Sequence, residues 1–332
     1  MSSNTSAPRL SAYLTDFPIV AEPDVCGALT VFPLIGPLPA LEYLSFAQAR
    51  ELGATVTELE SGASVRDLAI ENPGNLPVLL FEGEEVTGAQ QNRTFDISVL
   101  VPANSKLQVP VSCVEAGRWD GARHAESFAP APQAAYPSLR RMKSGQVRSQ
   151  LELDASPRAD QSAVWAEVSS KSERHGATSR TGAMSDLFDH RRERLDEMCS
   201  AMTMYCSQTG MLVAIGGAFA VLDRVSQPDV LDSLFRPLVQ GYALDALESP
   251  PADAPTLDEA RAMLELMLAC RVTEYDGIGL GCDVRADDNG VTGAGVVVAD
   301  ELVQLSVFVD DEDAETSATR GGRVRRPSRR RV

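Results

Sequence analysis

The chain has 332 residues, 44% of them hydrophobic and 23% charged, enough apolar material for one large domain or two small ones. A formal net charge of -17 disfavours casual binding to nucleic acid or to membrane surfaces. The start lacks a basic stretch followed by an apolar core. The most apolar run, residues 211–222, is too short to span a bilayer, and six scattered cysteines form no C-x-x-C, so a cytoplasmic protein with reduced thiols is expected.

In chain order, residues 1–24 read as a flexible N-terminus and 28–36 as a strand, broken by Pro37 and Pro39. Residues 45–53 fit a short helix with Ser45 as N-cap and Gly53 as its stop. Strands are expected over 54–60 and 65–72, the second followed by a Pro-Gly turn. The run 76–82, apolar on both faces, suggests a central strand.

That strand leads into "FEGEEVTGAQQNR" (81–93), with three carboxylates, two glycines, three amides and an arginine. Residues 92–101 and 107–115 both alternate apolar and polar, and 102–106 reads as a turn between them. Symmetric pairing across that turn sets Phe95 opposite Cys113 and Arg93 opposite Glu115, both on the apolar face. A slip of one residue would reverse a face. Pro110, with no ladder donor, suggests an edge or a bulge.

The Ala- and Pro-rich stretch 120–139 reads as a long loop across the surface or over a site. Helices are expected over 158–176 and 181–210, the second capped by Thr181 and ended by Gly210. A hairpin turning at Gly216-Gly217 is expected over 211–225. Helices follow over 228–247, with Pro237 forcing a kink or restart, and over 256–270, opened by a Thr256/Glu259 capping box. Three closing strands, the last over 302–309, read as a meander. The order implies an α+β fold with an antiparallel-rich sheet core and inserted and flanking helices, as one compound domain over 25–311. The tail 312–332, with seven arginines in residues 320–332 after the acidic run 310–315, reads as disordered. Its functional reading is an arm for nucleic acid or an acidic partner, and its plain reading is a solvated tail.

The densest chemistry lies in 82–93 and 115–119. Arg93 and Arg118 offer planar forks for phosphate or carboxylate. Gln91 and Asn92 can orient a ligand, Trp119 can stack on it, and Glu84 and Glu85 extend the polar wall. Glu82 and Glu115 are the candidate acid/base pair for hydrolysis. Against this stands a plain reading of a cross-strand ion pair, a solvated turn and a core tryptophan. Cys113 reads as a buried thiol, with a Cys113–His124 nucleophile pairing as the alternative. Asp186, His190, Glu193 and Glu197 share a helix stripe, but the arginines between them make it a charged outer face. Residues 283–290 lack calcium-loop spacing, and no phosphate-loop or dinucleotide fingerprint is present. No metal site is expected and no cofactor is identified.

The patches "LLFEGEEVTGAQQNR", "LVPANSKLQVPVSCVEAGRW", "DQSAVW", "TGAM" and "GYALDAL", in this order, resemble the ARG-and-rhodanese-phosphatase-superfamily-associated domain family. ARG stands for ADP-ribosylglycohydrolase, and the resemblance runs from about Leu29 to Val309. It implies a role linked to ADP-ribosyl, NAD or nucleotide metabolites, in line with a nucleotide-like ligand for the 82–93 and 115–119 cluster and with hydrolysis as an extension. The alternative is a scaffold or interaction protein whose polar cluster and acidic face dock another protein.

Overall fold

The computed structural model describes residues 7–14, 18–36, 41–288 and 290–310. The Arg-rich tail and the breaks expected at Pro37 and Pro39 lie outside them. The elements are, in chain order, β1 (Ile19–Val20), β2 (Asp24–Cys26), β3 (Leu29–Ile35), β4 (Leu44–Ser45), α1 (Phe46–Glu51), β5 (Thr55–Thr57), β6 (Asp67–Asn72), β7 (Val78–Leu80), β8 (Glu84–Thr87), β9 (Arg93–Phe95), β10 (Val99–Val101), β11 (Ser105–Cys113) and β12 (Ala129–Ala134). There follow α2 (Pro137–Leu151), α3 (Gln161–His175), α4 (Met184–Ser200), β13 (Gln208–Ile215), β14 (Ala218–Val225), α5 (Pro228–Ala246), α6 (Leu257–Leu268), β15 (Val272–Asp276), β16 (Cys282–Asp288), β17 (Val291–Val298) and β18 (Glu301–Val309).

The fold is α+β, and its strand pairs are antiparallel except β4 with β7. A nine-stranded sheet runs β1-β3-β13-β14-β18-β17-β16-β15, with β2 on β3. A six-stranded sheet runs β12-β8-β9-β11-β6-β5, and a three-stranded one β10-β7-β4. Three apolar clusters hold these layers. One joins α3, α4 and α5 to the large sheet, and a second joins that sheet to α6. The third joins the two smaller sheets to α1.

Local signals account for the best-read elements. Ser45 closes a capping box with Gln48 on α1, and Thr256 closes one with Glu259 on α6. Gly176 ends α3 at φ 65, and Gly216 and Gly217 turn the β13–β14 hairpin at φ 59 and 81. α5 runs through Pro237 as one helix.

Six expectations need correction. The stretch 92–101 is two strands, since β10 leaves to pair with β7 and only β9 stays on β11. Arg93 faces Cys113, and Phe95 faces Val111, a shift of two residues that keeps the face and changes the partner. β11 pairs with β6 up to Pro110 and with β9 beyond it, so the residue without a ladder donor sits where the partner changes. Glu84 and Glu85 lie in the buried strand β8, not in a turn. The supposed long loop contains β12 and the start of α2, because small Ala and Pro side chains let β12 lie along β8. α4 stops at Ser200. Thr181 does not cap it, and Gly210 lies in β13, where a Cβ would meet Asp223 O at 2.6 Å. Near the start, where a flexible segment was expected, Leu10 and Tyr13 are buried in a short 3-10 turn.

Candidate functional site

Period two along β9 and β11 puts Arg93 and Cys113 on the face of Val86, Phe95 and Val111, which belong to the third core. Glu85, Thr94 and Ser112 take the other face, toward α2. Two arginine-centred networks result, one on each side of the β8–β9 segment.

The first is structural. Arg140 on α2 has no solvent exposure and donates from Nε and Nη2 to Glu82 Oε1 at 3.1 and 2.8 Å. It also donates to both Asp223 carboxylate oxygens at 2.8 and 2.7 Å, and to Ser306 Oγ at 2.9 Å. Tyr242 and Ser306 donate their hydroxyls to the same Asp223, each at 2.6 Å. The guanidinium lies between the rings of Phe81 and Phe308, at 5.2 and 5.1 Å. Gly83, at φ 81, makes room for it: a Cβ there would meet Arg140 Cδ at 2.6 Å. One turn on, buried Lys143 reaches Asp96 at 3.0 Å and the Phe95 carbonyl at 2.8 Å. Sequence reasoning missed Arg140, Lys143, Asp96 and Asp223, which only the intercalation of α2 between sheets makes visible.

Glu82, Glu84 and Glu85 therefore lie inside. Burial pushes Glu84 up to about 7, against one backbone N–H from Phe81. Burial pushes Glu85 up to about 8, against hydrogen bonds donated by Gln133 at 2.8 Å and by Asn92. Glu115, two residues beyond Cys113, belongs with Asn92 and Arg118. It accepts from Arg118 Nη2 at 2.6 Å, the Asn92 N–H at 3.1 Å and the Thr181 hydroxyl at 2.9 Å. Burial alone would raise its carboxyl, but these donors hold it below the usual range. Glu82 and Glu115 thus sit in separate networks and share no partner among the described residues.

Arg118 also donates to the carbonyls of Ala89 and Gly88 and to Asn92 Oδ1, tying the 117–127 loop down over residues 88–92. Gln91 donates to the Glu115 carbonyl, and its side-chain oxygen accepts from Arg93 Nη1 and Cys113 Sγ, both at 3.1 Å. Burial raises the Cys113 thiol, and the Arg93 charge only partly offsets this. His124 meets Gln90 Nε2 at 3.0 Å, so the Cys113–His124 pairing does not form.

Arg93 differs from all of these. It too has no exposure, yet its Nε and Nη2 have no hydrogen-bond partner. Glu58, just after β5, faces it with Oε1 3.9 Å from Nη2, too far for a hydrogen bond. Neither Glu58 oxygen is bonded, nor is the Gln90 side-chain oxygen. Burial raises the Glu58 carboxyl. The charge of Arg93 and the nearby Gln90 backbone N–H offset this in part, although that N–H does not close a hydrogen bond. Trp119, 50% exposed, stacks over Arg93 with its ring centre 5.9 Å from the guanidinium carbon. The sequence signals Arg93 and Trp119 and puts Gln90 in the same polar run without a role; nothing near Glu58 singles it out.

Elsewhere, a groove of 1210 Å³ runs along α2 and α3, lined by Arg66, Arg158, Gln161 and Trp165. Gln161 also brackets the Cys113 peptide with two bonds of 2.8 Å. No cluster of three potential metal ligands exists among the described residues, and no helix among them is long and apolar enough to cross a membrane. No curated protein and no solved structure matches the chain significantly. A family model does match it, over residues 19–308, and the chain belongs to that family: the ARG and Rhodanese-Phosphatase-superfamily-associated Protein domain.

Proposed function

We propose that the protein binds a nucleotide or ADP-ribose-type metabolite at the centre formed by Glu58, Gln90 and Arg93, next to Trp119. One observation carries this reading. Five buried polar atoms of those three side chains lack partners beside a half-exposed indole, whereas Arg140, equally excluded from solvent, is saturated. Each such atom costs about 1–3 kcal/mol unless a partner is supplied. A ligand with a flat ring and several donors and acceptors supplies partners and covers the indole. The family's association with ADP-ribosylglycohydrolase accords with that ligand class.

A second reading, a scaffold without a ligand, is favoured by the bonds that Gln91, Asn92, Glu115 and Arg118 make to one another. Thermal-shift measurements with NAD, ADP-ribose and simple nucleotides separate the two. A stabilising shift lost in Arg93→Ala, with the circular dichroism spectrum unchanged, supports the metabolite. No shift with any of them, together with a co-purifying protein, supports the scaffold.

A further inference from the structure

We infer that the Arg93–Glu58–Gln90 centre is a primary-carboxamide subsite, and that within the metabolite class proposed above the ligand carries a nicotinamide-type amide. The inference rests on that reading and goes further, because the unpaired atoms have a definite pattern.

Nε and Nη2 of a guanidinium lie on one edge and point the same way, forming the side-on fork that takes acceptors. Both are unpaired in Arg93, while Nη1 on the far edge is occupied by Gln91 and the Asn92 carbonyl. Glu58 Oε1 stands 3.9 Å from Nη2, and both Glu58 oxygens and the Gln90 side-chain oxygen also lack donors. The site therefore asks for an acceptor with two lone pairs immediately beside an NH2 group.

A primary amide has both on one carbon. Its oxygen takes both donors of the fork, and its nitrogen gives one proton to Glu58 and the other to Gln90. The 3.9 Å between Nη2 and Glu58 Oε1 suits this, since the amide's own oxygen and nitrogen sit side by side in that span. A carboxylate satisfies the fork but offers nothing to Glu58 and repels it. The N6/N7 edge of adenine has its NH2 in the right place, but N7 has a single lone pair and leaves one donor of the fork unmet. A phosphate monoester brings negative charge against Glu58. Trp119, stacked on the guanidinium and half exposed, is placed to receive the aromatic ring that bears the amide. The 117–127 loop lies over residues 88–92, held by Arg118, the Asp120 N–H on the Gln90 carbonyl and the His124–Gln90 contact.

Calorimetry on the full chain with three dinucleotide probes tests this: NAD, its nicotinic acid counterpart, and ADP-ribose. All three share the adenine and the diphosphate; the nicotinic acid counterpart changes only the amide, whereas ADP-ribose lacks the whole nicotinamide ring. NAD is expected to bind about tenfold or more tightly than the other two, the effect of losing hydrogen bonds to a buried charged group. Glu58→Gln, a near-isostere, is expected to abolish that preference by bringing NAD affinity down to that of the nicotinic acid counterpart. Equal affinity for NAD and its nicotinic acid counterpart, or for NAD and ADP-ribose, overturns the carboxamide subsite and leaves the metabolite reading standing. Binding of none of the three overturns both. The wild-type ligand series decides by itself if the variant does not fold.

Discussion

Arg140 and Arg93 are both excluded from solvent and both face carboxylates, yet their surroundings treat them in opposite ways. Around Arg140 every donor is met: two carboxylates, a serine hydroxyl and two aromatic rings surround it. Around Arg93 one edge of the guanidinium is met and the other is not, and its carboxylate stands at 3.9 Å. A buried ion pair that is fully bonded specifies a packing arrangement; one that is half bonded costs stability for which the fold itself gives no return. The first pattern marks a structural joint between the sheets. The second marks the place to look for a ligand.

The contrast can be broken by mutation, and the largest effect is expected at the saturated arginine. Arg140→Met leaves Glu82 and Asp223 buried without a counter-charge and is expected to cost about 3–5 kcal/mol in urea denaturation. A loss under about 1 kcal/mol would show that the network is not the joint described here. Gly83→Ala comes next. It forces a side chain into a left-handed conformation and against Arg140, and an expected cost of about 1–3 kcal/mol would appear as a lowered Tm.

The third test uses pH. Glu84 and Glu85, raised to about 7 and about 8, hold protons in the native state that the unfolded chain releases above its usual range near about 4.3. Raised folded values mean stability that is complete below the unfolded range and is lost as pH rises through the folded values. Unfolding free energy is therefore expected to fall between about pH 5 and about 8, and Glu85→Gln to flatten that fall by on the order of 1 kcal/mol or more. A flat profile in the wild type would show that burial does not raise these carboxyls in the folded protein. The smallest effect is expected at the unsaturated centre. Glu58→Gln is expected to change stability by less than about 1 kcal/mol, because the carboxylate makes no hydrogen bond and the cost of burying it offsets its attraction to Arg93 at 3.9 Å. A large loss there would make Arg93–Glu58 a second structural joint and remove the contrast.

Much of the fold could be read from local chemistry, because the signals were local. The capping boxes of α1 and α6, the Gly216-Gly217 turn and the closing meander each depend on residues a few positions apart. The register of β9 on β11 failed by two because alternation fixes a face and leaves the partner open; the departure of β10 to β7 is a tertiary choice. β12 and α2 escaped notice because Ala, Pro, Arg and Lys read as solvent-facing chain. In α2, Arg140 and Lys143 point inward, and nothing local shows that Glu82, Asp223 and Asp96 await them. At the site, Arg93 and Trp119 were legible as polar and aromatic outliers beside a core strand. Glu58 was not, since only the packing of β5 on β6 brings it to Arg93.

The strand order of the large sheet carries one more consequence. β18, which begins at Glu301, lies between β14 and β17, in the middle of the sheet and not at its rim. During synthesis its two neighbours leave the ribosome first, and each must wait with an unpaired edge. The large sheet therefore cannot close before β18 emerges, and a stop codon ahead of Glu301 would cost the protein the centre of its largest layer, leaving two open edges prone to self-association.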